Sequence, residues 1–224
     1  MGRTVQMEQT PGRAHGGRAG EAERPALRQA QRGRILDAAR RIVVRDGFAA
    51  LSMRKIADAI GYSPASLYLY FENRDEIARA LGAEGYAQLR EALDAQIQVV
   101  DPAGRLRALA QAYVAFGEAH PETYRLVFVD VPTVQPEEGM PGPDAEPVVR
   151  VFAEALAALG PTTDAPHAAA LWATLHGIVM LALTRPGFAG PSLERVVEAA
   201  LAAWLGTAAA GRKRAGKPTR AAST

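Results

Sequence analysis

The sequence contains no cysteine among its 224 residues, and it has four histidines and few aromatic side chains. The absence of cysteine excludes disulfides, iron–sulfur clusters, cysteine-ligated zinc and thiol nucleophiles. Four histidines argue against a metal site built from histidine. Aromatic residues make up 6% of the chain and apolar residues 48%, so the core must be largely aliphatic. Alanine accounts for 46 residues, which favours helices.

The sequence also lacks the short motifs of common enzymes. It contains no G-x-S-x-G, no H-E-x-x-H, no P-loop and no Rossmann fingerprint. Three of its five serines lie instead between residues 52 and 66. We therefore expect a protein that is not an enzyme and that uses no metal and no cofactor. An enzyme with an unrecognised motif and a helical adaptor protein are the two alternatives.

Long apolar runs are scarce. Residues 1–26 contain no continuous apolar stretch and do not resemble a signal peptide. Residues 168–184 contain no Asp, Glu, Lys or Arg, and their 17 residues reach the lower limit of a membrane span. They include His176 and Gly177 and lack a flanking basic cluster, so we interpret them as a core or subunit-interface helix. We expect a cytoplasmic protein with no membrane contact.

The net charge of +2 hides an uneven distribution. Residues 1–34 carry +4, residues 35–75 carry +1, residues 76–210 carry −8 and residues 211–224 carry +5. Basic ends joined to an acidic body indicate that one end meets a polyanion. Terminal arginines that only keep the chain soluble are an equally supported alternative.

The spacing of apolar residues predicts an all-α protein of about nine helices, with no strand or hairpin signal. We expect a disordered Arg/Gly-rich arm over 1–26 and a three-helix helix-turn-helix domain over 27–80. A larger helical domain is predicted over 81–206, and a basic disordered tail over 207–224. Five prolines within residues 131–147 predict a loop there.

Residues 52–71 have the size and spacing of a helix-turn-helix. Ser52 is predicted to cap a short helix, Gly61 to form the turn, and Ser63 to cap a second helix that opens with Pro64. In such a unit the second helix enters the major groove, where its first residues must be small or polar to approach base edges. The candidate DNA-binding residues are Ser52, Arg54, Ser63, Pro64, Ala65, Ser66, Tyr68, Tyr70 and Arg74. Capping serines, core tyrosines and a solvated arginine are the structural alternatives.

The segment from Ile35 to Leu81 resembles the DNA-binding domain of the TetR family of bacterial transcription regulators. The matching features are Ala-Ala in the first helix, the Gly-Phe after it, Ser-Met-Arg-Lys-Ile-Ala, Gly-Tyr-Ser and Leu-Tyr-x-Tyr-Phe-x-x-Arg. Arg74 stands where the family usually has lysine, and Tyr70 stands where it often has histidine. Both substitutions retain a group that can bind phosphate.

The run from Leu171 to Gly177 resembles the Trp-His-Gly signature of one C-terminal subclass, and residues 119–126 fit it too. The resemblance implies a ligand-binding and dimerisation domain whose last two helices pair with those of a second copy. Small residues available for that contact are Ala168, Ala169, Ala199, Ala202 and Ala203. Large side chains available to line a ligand pocket are Tyr113, Phe116, Tyr124, Phe128, Phe152, Trp172 and His176.

The resulting expectation is a ligand-responsive, sequence-specific transcriptional regulator. In the form most frequent in such families, it is a homodimeric repressor that a small molecule releases from its operator. Its partners would then be double-stranded operator DNA, a second copy of itself and an unidentified small-molecule effector.

Overall fold

The computed structural model describes residues 17–130, 147–160, 165–188, 190 and 192–215. The chain divides into two compact units, Met1–Ile77 and Ala78–Thr224. The described residues form nine α-helices and contain no strand, in agreement with the predicted all-α class.

The first unit contains α1 (Gly17–Asp46), a 3₁₀ turn (Phe48–Ala50), α2 (Met53–Ile60) and α3 (Pro64–Leu67), and it includes the start of α4 (Arg74–Asp94). Apolar residues of α1 recur on one face and are buried together with those of α2, α3 and α4, as their spacing predicts. This core consists of Ile35, Leu36, Ala38, Ala39, Ile42, Val43, Leu51, Ile56, Ala57, Leu67, Phe71 and Ile77.

Both predicted helix boundaries at the ends of the chain differ from the structure. Helix α1 begins at Gly17 rather than near residue 27, and α9 runs to Ala215 rather than ending near 206. Alanine, arginine and glutamate in these extensions are good helix formers. The helix therefore continues although no apolar periodicity in the sequence predicts it. Residues 24–30, for example, are helical and exposed. The rest of the predicted arm and tail, residues 1–16 and 216–224, lies outside the described residues.

The second unit contains α5 (Pro102–Ala119), α6 (Pro121–Arg125), a π-helical turn (Leu126–Asp130), α7 (Pro147–Ala157), α8 (Ala165–Thr184) and α9 (Leu193–Ala215). These helices enclose one hydrophobic core, to which Leu89 and Leu93 of α4 also belong. Helix α5 approaches α8 closely at Gly117, where a Cβ atom would lie 2.4 Å from the Cγ1 of Val179. Glycine is therefore required for this packing. The loop predicted over 131–147 lies outside the described residues, apart from Pro147 at the start of α7.

Helix α8 is the most apolar described element. By length and composition alone, the stretch Pro166–Thr184 is long and apolar enough to cross a membrane, with a mean hydropathy of 1.4. Within the chain, 28% of this stretch is buried. Trp172, Met180 and Leu183 of this helix pack partly against the core, whereas Leu181 is 41% exposed.

Candidate nucleic-acid interface and effector site

Serine caps and a glycine turn set the geometry of α2 and α3. The Ser52 hydroxyl accepts a hydrogen bond from the backbone N–H of Lys55 at 3.2 Å, which caps α2. Gly61 ends α2 in the left-handed region, with φ of 71°. The Ser63 hydroxyl then accepts from the N–H of Ser66 at 3.2 Å and so caps α3. The helix-turn-helix is therefore defined by local hydrogen bonds that the sequence motif specifies.

The N-terminal residues of α3 form an exposed surface of small side chains. Ser63, Pro64 and Ala65 are all exposed, whereas Leu67 is fully buried and anchors the helix. Ser66 is half-buried, and its hydroxyl lies 2.8 Å from that of Ser63. This surface can approach another molecule closely because no long side chain projects from it.

Of the two candidate arginines, Arg54 is the more accessible. Its side chain is 86% exposed and lies 3.9 Å from the carboxylate of Asp58, an exposed pair of little energetic weight. The guanidinium of Arg74 lies 4.7 Å above the ring of Phe48 and its Nε lies 3.5 Å from Asp75. Arg74 is thus partly occupied by contacts within the chain.

The tyrosines differ from each other. Tyr68 is 57% exposed and is not a core aromatic, while Tyr70 is half-buried. Two exposed residues beside these candidates were missed by the sequence reasoning, Lys55 in the first turn of α2 and Leu69, which is 68% exposed. The sequence does contain signals of their exposure. Lys55 adds a positive charge next to Arg54, and Leu69 lies between Leu67 and Phe71, which are both buried.

Two side-chain hydrogen bonds also hold the N-terminus of α4. The side chain of Asn73 accepts from the N–H of Glu76 at 2.8 Å, and the Glu76 carboxylate accepts from the N–H of Glu72 at 2.6 Å. These bonds fix the chain immediately after the segment that carries the tyrosines.

In the second unit, six of the seven predicted pocket residues lie together. Tyr113, Tyr124, Phe128, Phe152, Trp172 and His176 form one cluster through ring contacts with centroids 4.8 to 6.3 Å apart. Phe116 differs, because its ring contact is with His120 at 5.1 Å. We call the six residues the aromatic cluster.

Polar atoms within the aromatic cluster bond to one another. Trp172 Nε1 donates to the Tyr113 hydroxyl at 3.1 Å, which lies 2.8 Å from the Tyr124 hydroxyl. The Tyr124 hydroxyl in turn lies 2.7 Å from His176 Nδ1. Burial raises the pKa of the Tyr124 phenol far above its ordinary value, so this hydroxyl keeps its proton and can donate a hydrogen bond to Nδ1. A neutral His176 completes the chain of hydrogen bonds.

His176 should make stability depend on pH. Burial lowers the pKa of His176 from its ordinary 6.5, so the folded chain binds this proton less readily than the unfolded chain. Its contribution to the free energy of unfolding is therefore complete above that value and is lost as the pH falls towards the lowered pKa. We expect the stability advantage of the native chain over His176→Gln to shrink between about pH 7.5 and about pH 5.5.

Urea denaturation at each pH measures this difference, and carboxylates common to both chains cancel in the comparison. An advantage that stays constant across the range would contradict the expectation.

Among the residues that the structure describes, no group of three or more His, Cys, Asp or Glu is placed to hold a metal ion.

Two family models match the chain. Residues 35–81 match the model described as "Bacterial regulatory proteins, tetR family", and residues 106–205 match "Tetracyclin repressor-like, C-terminal domain". The chain belongs to the TetR family. Members of the TetR family are transcriptional regulators rather than enzymes, and the two matches cover both structural units of this chain.

Solved structures are similar to this TetR-family chain over most of its length. A protein of unknown function from Rhodococcus sp. RHA1 is 30% identical, with a TM-score of 0.62, and the match covers 79% of this chain and 94% of that one. The candidate regulatory protein SCO4313 is 29% identical, with a TM-score of 0.64, over 81% and 98% of the two chains.

Curated relatives match over a shorter range. HdnoR of Paenarthrobacter nicotinovorans, a nicotine-responsive transcriptional repressor, is 36% identical over 80 residues, which are 36% of this chain and 40% of HdnoR. FasR of Mycolicibacterium smegmatis, a transcriptional activator, is 31% identical over 111 residues, which are 49% of this chain and 51% of FasR. The matches thus span about half or less of the length of these relatives. One of the two relatives is a repressor and the other is an activator.

Proposed function

We propose that this TetR-family chain is a homodimeric, sequence-specific DNA-binding repressor that a small molecule releases from its operator. The exposed start of α3 carries the proposal. Ser63, Pro64 and Ala65 are presented to solvent on a capped helix, while the core of the same unit is complete without them. A helix-turn-helix uses such a surface to approach base edges in the major groove.

In this proposal the candidate residues divide into two groups. Ser52, Tyr68, Tyr70 and Arg74 bind phosphates, and the exposed Arg54 binds a phosphate or a guanine edge. Because α3 offers few hydrogen-bonding side chains, Pro64 and Ala65 make van der Waals contact with thymine methyl groups, and Ser66 supplies a hydroxyl.

We place the subunit contact on α8 and α9. Ala199, Ala202 and Ala203 are exposed and Ala169 is half-buried, so these small side chains permit close helix approach. Ala168 was proposed for the same contact but is fully buried within its own chain, and it belongs to the core instead. The partly exposed apolar surface of α8 and a concave site of about 590 Å³ beside Ala170, Ala203 and Trp204 support a second copy as occupant.

The effector would bind at the aromatic cluster. This cluster combines large apolar rings with four hydrogen-bonded polar groups, the composition expected of a small-molecule site. It includes Trp172 and His176 of the segment that resembles the Trp-His-Gly subclass, to which we assign the C-terminal domain. Ligand responsiveness in HdnoR is consistent with such a site. Release from DNA requires that the ligand bind the two states of the dimer with different affinity.

The two copies of α3 in the dimer must fit successive major grooves about 34–36 Å apart, and an effector that changes their separation would release the dimer.

A regulator of bacterial chromosomal DNA works in the cytoplasm, which we propose as the location of this protein.

A gel-shift assay with intergenic DNA from upstream of the protein's own gene tests the proposal. We expect a sequence-selective shift that weakens as the salt concentration rises. In sedimentation, the protein should have twice the mass of the single chain. Absence of any selective shift would overturn the proposal and favour a helical adaptor protein.

Removing the guanidinium of Arg54 should weaken this shift. We expect Arg54→Ala to lose about 1–3 kcal/mol of binding free energy, and Tyr68→Phe to lose less because it removes one hydroxyl. Anisotropy titrations against salt measure both effects. Arg41→Ala, which removes the same charge from an exposed site on α1, is the matched control. Equal losses in Arg54→Ala and Arg41→Ala would remove Arg54 from the interface.

A further inference from the structure

Helix α1 supplies polar side chains to both ends of α3, and none of them belongs to the helix-turn-helix motif. Before α3, the hydroxyl of Tyr62 donates to the side chain of Gln31 at 2.5 Å. After α3, Arg28 donates to the carbonyl of Leu69 at 3.1 Å, and Arg32 donates to the carbonyl of Tyr70. Helix α1 thus holds the chain on both sides of α3.

A helix as short as α3 needs such support. It contains four residues, and helices of this length are not stable by themselves in water. The carbonyls of Leu69 and Tyr70 lie just beyond the end of α3, outside its helical ladder, and guanidinium groups of α1 supply their hydrogen bonds. Leu67 is its single buried anchor among the four residues, so hydrogen bonds must fix the remaining freedom.

Arg32 makes the most extensive of these contacts. While one terminal nitrogen donates to Tyr70, the other lies 3.2 Å from Glu76 Oε1, and the guanidinium lies 3.9 Å above the ring of Phe71. The same Glu76 carboxylate accepts from the N–H of Glu72 at 2.6 Å. Arg32 therefore joins the end of α3 to the first turn of α4.

We propose that Arg32 is a positioning residue for DNA recognition, which holds α3 in the orientation that reads sequence without itself contacting DNA. The inference rests on the proposed function. Both terminal nitrogens of Arg32 are engaged within the chain, and its side chain is 29% exposed. Lysine could not replace it, because an ammonium group lacks the planar fork that reaches two acceptors while it stacks on a ring.

The test uses a duplex that the full-length chain selects from a random-sequence DNA pool, together with a scrambled duplex of the same length. We expect Arg32→Ala to weaken binding to the selected duplex by about 10-fold or more, because a slight misplacement of α3 disrupts its contacts. Binding to the scrambled duplex should stay close to that of Arg41→Ala, which loses the same charge, and the salt dependence should match that control.

Arg32→Lys and Glu76→Gln should also lose selectivity, and they carry the comparison if thermal melting shows that Arg32→Ala does not fold. Equal weakening on both duplexes with a salt slope lower by about one would make Arg32 a phosphate contact and overturn the inference. Full selectivity in the Arg32→Lys and Arg32→Ala chains would overturn it too. If the native chain selects no sequence at all, the proposed function fails instead.

Discussion

Ala65→Glu is expected to reduce affinity for the selected DNA by about 100-fold or more, the largest effect that we foresee on binding. Ala65 is exposed in the first turn of α3, where the proposed function places base edges and phosphates. A carboxylate there would be desolvated next to a polyanion, and a juxtaposed like charge costs several kcal/mol. Fluorescence anisotropy with the selected duplex measures the loss.

Loss of folding would not explain such a result. A glutamate in the first turn of a helix interacts favourably with the helix dipole, so α3 should remain intact. Ala87→Glu, at an exposed position of α4, adds the same charge elsewhere and serves as the control. Equal affinities for Ala65→Glu and Ala87→Glu would mean that α3 does not face DNA.

Phe152→Ala is expected to lower the free energy of unfolding by about 3–5 kcal/mol, the largest effect that we foresee on stability. Phe152 is fully buried, and its ring lies 6.0 Å from that of Tyr113 in an edge-on contact. Truncation removes apolar burial and leaves a cavity in the only core of the second unit that the described residues form.

Urea denaturation, followed by circular dichroism, measures this loss. Phe188→Ala removes the same ring from an exposed position and should cost far less. A loss below about 1 kcal/mol in Phe152→Ala would mean that the aromatic cluster contributes little to the fold.

Local signals explain why the helix-turn-helix was predictable. Ser52, Ser63 and Asn73 each cap a helix through a bond to a backbone N–H three residues ahead, so their effect is visible in a short window of sequence. Leu67 and Phe71 lie one turn apart and are both buried, as the period of a helix requires.

Contacts between distant residues could not be predicted in the same way. Arg32 reaches residues 38 and 44 positions away, and its role depends on how α1 packs. His176 and Tyr124 are 52 positions apart, so the sequence listed both as large side chains without revealing their bond. Phe116 shared that composition but packs against His120, because side-chain size does not specify direction.

The indole of Trp172, hydrogen-bonded to Tyr113, also gives the chain an optical reporter. The sequence contains two tryptophans, of which Trp172 lies within the aromatic cluster and Trp204 beside the concave site on α8 and α9. Tryptophan fluorescence therefore originates from the two sites that the proposed function assigns to effector and subunit. Replacing either indole by phenylalanine leaves emission from one site, so occupancy and assembly can be followed separately without a dye.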